Sequence, residues 1–106
     1  MLEIAAFQRL NRAENIVVTQ HSRRRMSERG ILLRDVLSAI GCGEIIEQYP
    51  EDYPFPSCLI LGCAEDGRFL HVVASVDDGF IYLITAYFPD SESWEEDLKT
   101  RKERRP

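Results

Sequence analysis

Apolar positions change their period along the chain. Leu2, Ala5, Ala6, Phe7 and Leu10 recur at helical spacing and predict a short amphipathic helix within residues 2–13. Ile16-Val17-Val18-Thr19 is β-branched and reads as a short extended segment. Thr19 or Gln20 then opens a helix that runs through Arg29, where Gly30 suits a left-handed stop. Asp35 to Ile40 continues as a second helix ended by Gly41 and Gly43; Leu32 and Leu33 stand where a capping Ser or Thr is expected.

From Glu44 onward the pattern is that of strands. Glu44 to Gln48 forms the first, and Tyr49-Pro-Glu-Asp-Tyr-Pro-Phe-Pro56, with three prolines in eight residues, must be a loop. Cys58–Ala64, Phe69–Val76 and Phe80–Phe88 follow as strands, separated by Glu65-Asp66-Gly67 and Asp77-Asp78-Gly79. A two-residue Asp78-Gly79 turn aligns Ser75 with Tyr82 and sets His71 opposite Ala86. A three-residue turn with Gly79 as the left-handed bulge pairs Val76 with Phe80, Val73 with Leu83 and His71 with Thr85. The repeated acidic-acidic-Gly signal favours the second, which puts His71, Thr85 and Tyr87 on one face. Asp90 is placed to cap a last helix over about Ser91 to Glu103. The expected class is α+β, with N-terminal helices packed on a mostly antiparallel four-stranded sheet and a C-terminal helix. Residues 1–15 form an N-terminal helical extension and residues 16–106 a single domain.

Composition narrows the class. A chain of 106 residues supports one core, and no apolar run is long enough for a membrane span. The first residues lack the basic-then-apolar order of an export signal, and three cysteines (Cys42, Cys58, Cys63) are not a disulfide framework. A reducing, cytoplasmic setting is expected. The net charge of -5 argues against general nucleic-acid binding, but it hides a segregation. Residues 1–43 carry seven Arg against four acids, residues 44–97 thirteen acids against Arg68, and residues 98–106 five basic residues against Glu103. The chain is basic, then acidic, then basic, and the last block reads as a solvated helix end.

Two constellations could carry chemistry. His21, Arg25 and Arg29 recur every four residues and stack along one helix face. A histidine beside two guanidiniums supplies a proton-transfer group and cations for a phosphorane-like transition state; paired with Glu28 and the acidic segment, the same residues are only a solvated face. His71 with Thr85 and Tyr87 offers an imidazole beside two hydroxyls, or else a buried strand histidine hydrogen-bonded to Thr85. A metal site from Cys42, Cys58, Cys63 and His71 is disfavoured, because no Cys-x2-Cys pair is present and Cys58 and Cys63 are expected on opposite strand faces. No phosphate-cradling Gly-rich loop and no serine nucleophile elbow occur. No cofactor is expected.

The string Thr19-x-His21-Ser22-x-x-Arg25-Met26-x-x-Arg29-Gly30-Ile31, then Asp35-Val36, Gly43 to Glu47 and Tyr49-Pro50-x-Asp52-Tyr53-Pro54, resembles the bacterial family called domain of unknown function 4258 (DUF4258). Leu70-His71-Val72-Val73, Ile84-Thr85-Ala86-Tyr87-x-Pro89-Asp90 and Trp94 extend the likeness over about residues 16–102. Leu33 departs from the usual polar cap, which touches only the helix start. That family resembles in fold the small ribonucleases that include barnase, colicin tRNases and RelE-like toxins, often paired with an antitoxin. The resemblance implies a metal-independent endoribonuclease that cleaves RNA by attack of the 2'-hydroxyl. On this chain His21 and His71 become acid–base candidates, Arg25 and Arg29 phosphate clamps, and Thr85 and Tyr87 orienting groups. RNA is then the partner, with an antitoxin protein covering the cleft. The other reading is a non-enzymatic interaction module of the same fold, in which both histidines are structural.

Overall fold

The computed structural model describes residues 1–103, so Arg104 and Arg105 of the basic tail lie outside the described residues. Three helices, α1 (Ile4–Arg9), α2 (Gln20–Arg29) and α3 (Leu33–Cys42), accompany five strands, β1 (Ile16–Val18), β2 (Glu44–Tyr49), β3 (Ser57–Cys63), β4 (Phe69–Asp77) and β5 (Phe80–Tyr87). The strands form one sheet in the order β1-β5-β4-β3-β2. The class is α+β, but the sheet has five strands rather than four and is mixed: β1 adds to β5 in parallel, pairing Ile16 with Ile81 and Val18 with Leu83. Nothing local distinguishes a three-residue edge strand from an extended linker, because its partner lies about 65 residues further on.

Local chemistry explains the helix ends. The Thr19 side chain accepts the Ser22 amide proton at 3.0 Å, and Gly30 closes α2 with φ 69°. Leu32 has no capping side chain, but the Asp35 carboxylate accepts the Leu32 amide proton at 2.9 Å. Gly41 does not stop α3; the helix runs to Cys42 and ends at Gly43. The Gln8 side-chain amide donates to the carbonyls of Ile40 and Gly41 in the last turn, which ties α1 to the end of α3.

Alternation along the strands gives the sheet two buried faces. Cys58, Ile60, Leu70, Val72, Ala74, Ile81, Leu83 and Ala86 face the helices and pack with Phe7, Met26, Val36, Ala39 and Ile40. Leu59, Leu61, His71 and Ser75 face the other way and are also buried. Contact on the helix side is closest where α3 crosses β3. A Cβ added to Gly62 would stand 2.1 Å from the Ala39 carbonyl oxygen, so helix backbone rests on sheet backbone.

The β4–β5 hairpin corrects the expected register. Asp78 (φ 49°) and Gly79 (φ 81°) form a tight two-residue turn, so Asp77 pairs with Phe80 and Ser75 with Tyr82. A bulge then shifts the register by one at Ile84, and His71 lies opposite Tyr87, not Thr85 or Ala86. The three-residue turn with a left-handed Gly is used at the other hairpin, where Gly67 has φ 92° and Ala64 pairs with Arg68. His71, Thr85 and Tyr87 still share a face, since Thr85 pairs with Val73, the next residue of that face along β4.

The helix expected over residues 91–103 does not form. Asp90 does accept the amide protons of Glu92 and Ser93, but the chain then folds into a small hairpin with Glu95 bonded to Thr100 and Lys102 to Ser93. Asp97 holds its turn by accepting from Lys99 and Thr100. Acids early and bases late satisfy a helix dipole, yet the segment has only Trp94 and Leu98 to bury. Those groups are satisfied better on the second sheet face, which is apolar and needs a cover.

Replacement of Gly62 by Ala forces α3 off the sheet and is expected to cost about 3 kcal/mol of unfolding free energy. Gly41→Ala, whose Cβ would meet only Asn11 Nδ2 at 3.5 Å, is expected to be neutral or to gain about 0.5–1 kcal/mol. Urea denaturation of both variants checks the contrast; equal stabilities would show that the α3–β3 backbone contact is not constraining.

Candidate functional site

The α2 helix lies beside β5 and serves as its edge cover. Ser22 and Met26 point inward, and the Ser22 hydroxyl lies within hydrogen-bond distance of the carbonyls of Leu83 and Ile84, at 3.1 and 2.9 Å. Arg29 Nη1 donates to the Thr85 hydroxyl oxygen at 3.1 Å and to the Ala86 carbonyl at 2.8 Å. The edge carbonyls where β5 passes α2 are thus capped by side chains rather than left open for another strand.

The same bonds prepare a polar row. Arg29 keeps Nε and Nη2 without a partner among the described residues, and Thr85, having accepted from Arg29, keeps its own proton to donate. Arg25, one turn earlier, is half-exposed, and its nearest carboxylate is Glu28 at 3.8 Å, a surface pair worth at most about 1 kcal/mol. His21 is exposed at the start of the helix. It borders a groove of about 500 Å3 whose other walls include Tyr53, Phe55, Ser75, Tyr82 and Ile84.

His71 occupies a different environment. It is 0% exposed, with its ring edge-on to Trp94 (centroids 4.6 Å apart) and to Tyr87 (5.3 Å). Nε2 lies 2.9 Å from the Leu98 carbonyl, which can only accept, so Nε2 carries the proton and Nδ1 accepts from the Tyr87 hydroxyl at 3.3 Å. Leu98 sits at φ 59°, a left-handed conformation rare for leucine, at the tip of the turn that presents this carbonyl. Burial lowers the His71 pKa against the opposing pull of the Leu98 carbonyl and of Glu47. Burial likewise raises Tyr87 above its ordinary value.

Around this pair the tail is strapped to β2. Arg101 donates to both Glu47 oxygens at 2.9 and 3.1 Å and lies over the Trp94 ring at 4.7 Å. Tyr49 donates to Glu47 at 2.5 Å, and Lys99 pairs with Glu44 at 2.5 Å. Burial pushes the Glu47 carboxyl up, but the bonds from Arg101 and Tyr49 outweigh it and leave it below 4.5.

The predicted residues therefore fall into two sets. His71 and Tyr87 meet each other, and Arg29 meets Thr85; His21 and Arg25 join the Arg29 row along α2. His21 and His71 are not brought together. His21 lies by Tyr82 and Ile84, and His71 by Tyr87; Tyr87 is five positions beyond Tyr82 along β5, roughly 15 Å. Sequence reasoning missed Glu47 and Arg101 as partners, and missed Tyr53 and Phe55 as a wall. The second omission had a signal: a Tyr-Pro-Phe-Pro run in which stiff backbone carries aromatic rings. Cys58 faces the helix side of the sheet and His71 the other, and no group of three or more metal-ligating side chains occurs among the described residues. No helix among those residues is long and apolar enough to cross a membrane.

A family model described as "Domain of unknown function (DUF4258)" matches residues 18–88, two-thirds of the chain, including His21, Arg25, Arg29, His71, Thr85 and Tyr87. No curated protein and no solved structure matches.

Acid should loosen the tail. His71 binds its proton less readily folded than unfolded, so the unfolded chain takes up more protons as pH falls through 6.5, and stability falls with it. Glu47, held below 4.5, adds a loss in the same direction at lower pH. Trp94 is the sole tryptophan and is 4% exposed, so its emission should shift to the red between pH 7.5 and 5. His71→Ala is expected to cost about 2–4 kcal/mol and to flatten the dependence between pH 5 and 7. An unchanged pH profile in that variant would show that another group governs it.

Proposed function

This chain belongs to the DUF4258 family, and on that footing we propose that it is an RNA-binding endoribonuclease of the toxin type. The α2 row beside β5 is its working face. The carrying observation is Arg29, fixed on Thr85 and Ala86 with its remaining donors uncommitted among the described residues, in line with Arg25 and the exposed His21. A guanidinium held by two hydrogen bonds is preorganised to meet a phosphate, and the Thr85 proton can reach the same oxygen.

In this reading His21 takes the proton of a ribose 2'-hydroxyl, whose oxygen attacks the adjacent phosphorus. The bond to the 5'-oxygen breaks, leaving a 2',3'-cyclic phosphate and a 5'-hydroxyl protonated from solvent. Arg25 and Arg29 stabilise charge on the equatorial oxygens. His71 and Tyr87 act behind the face as positioning groups that hold the end of β5. The reading includes a RelE/barnase-like fold, a cytoplasmic setting and an antitoxin partner that covers the groove; the exposed Val17, Ile84 and Tyr53 along it supply apolar surface for such a cover.

One observation favours the second reading, a non-enzymatic interaction module. Two-histidine acid–base catalysis needs both rings at the scissile bond, and His71 has both nitrogens engaged beneath Trp94.

Incubation of the purified chain with single-stranded RNA, in chelator, tests the choice. Cyclic-phosphate products are expected, with His21→Ala slowing cleavage about 100-fold or more while binding persists. Arg25→Ala should weaken binding and reduce its salt dependence by about one charge. Salt-dependent binding without cleavage would select the interaction module.

A further inference from the structure

We propose that the groove between the Pro-rich loop and β5 is a stacking slot for one unpaired nucleobase, which makes the substrate single-stranded RNA. This deepens the reading of the α2 row as a phosphate-binding face and rests on it.

Tyr53 presents an aromatic ring at the groove. It is 94% exposed, so its ring contributes no packing to the fold. Yet it stands between Asp52 and Pro54 in a loop held at both ends. The Ser57 hydroxyl donates to the Asp52 carboxylate, and the Asp52 amide donates to the Tyr49 carbonyl at 3.2 Å. Prolines on either side of Phe55 restrict the backbone further, so the aromatic rings are displayed on a stiff support. A rigid display reduces the conformational entropy lost when a flat ligand stacks.

The lining of the groove combines aromatic and cationic groups. Phe55 leans on Tyr82 with ring centroids 5.6 Å apart at 37°, forming an apolar wall with Ile84. His21 borders the same space and begins the cationic row that continues through Arg25 to Arg29. A ligand that joins a flat aromatic ring to an anionic group, spaced by about the rise of a helical turn, fits both features, which is the chemistry of a nucleotide in a strand. Asp52 lines the slot, and a carboxylate only accepts, so a base carrying an exocyclic amino group is favoured over one presenting only oxygens. Bases in a duplex are already stacked and paired and have no free face to offer.

The test uses the full chain with 2'-O-methyl RNA of about ten nucleotides, which cannot be cleaved by 2'-hydroxyl attack, as single strand and as duplex. Fluorescence anisotropy at low salt is expected to show the single strand bound about tenfold more tightly or better. Tyr53→Ala should weaken single-strand binding about tenfold and leave duplex binding and the salt slope unchanged. Arg25→Ala should weaken both strands. Tyr53 lies outside the core, so circular dichroism of that variant should match the parent. Equal affinity for both forms, with Tyr53→Ala silent, overturns the slot and leaves the phosphate-binding face standing. Absence of salt-dependent binding to either form overturns both.

Discussion

The architecture depends on the approach of α3 to β3, where the Ala39 carbonyl occupies the space that a side chain at Gly62 would need. A backbone contact of this kind cannot be adjusted by changing rotamers, so it sets the height of the helix layer above the sheet. Gly43 repeats it at the helix end, where an added Cβ would stand 2.4 Å from the same oxygen. With α3 seated, the short Gly30–Leu32 connection leaves α2 little choice but the β5 edge, and β1 just before it completes that edge in parallel. Capping of the β5 carbonyls by Ser22 and Arg29 follows from this placement, and so does the alignment of His21, Arg25 and Arg29 along it.

The opposite sheet face poses a second constraint, because strands that are apolar on both sides must be covered twice. Helices cover one side; the tail and the Pro-rich loop cover the other. This resolves the segregation of charge along the chain. Lys99 and Arg101 lie on Glu44 and Glu47 of β2, so some of the terminal basic block neutralises some of the acidic middle. Exposed ion pairs contribute little individually. The larger contribution comes from Trp94 buried against His71, with the Leu98 carbonyl satisfied by Nε2. Arg23, Arg24, Arg25 and Arg29 of α2 stay on the surface.

That division bears on function. A histidine with both nitrogens bonded and no exposed surface is suited to holding structure, whereas one exposed at a helix start beside cations is suited to proton transfer. His71 and Tyr87 stabilise the end of the strand that carries Thr85; Thr85 in turn orients Arg29. The two histidines of the chain therefore occupy opposite ends of one face in different environments, His71 buried and His21 exposed.

Most elements were legible because local patterns specify them: Thr19 and Gly30 bracket α2, apolar runs separated by acidic-acidic-Gly turns mark β3 to β5, and the prolines mark their loop. The four-residue repeat that aligns His21, Arg25 and Arg29 is likewise a property of the sequence alone. Three matters were decided only by tertiary structure. The register at His71 depends on a bulge at Ile84, beside the carbonyls that Ser22 meets across 61 residues. The tail has the charge order of a helix but adopts a hairpin, because Trp94, Leu98 and Arg101 find partners on a sheet face distant in sequence. Burial of His71 beneath Trp94 follows from that docking. Local free energies choose helix, strand and turn within a few residues, whereas edge pairing and burial are set by contacts whose partners lie far along the chain.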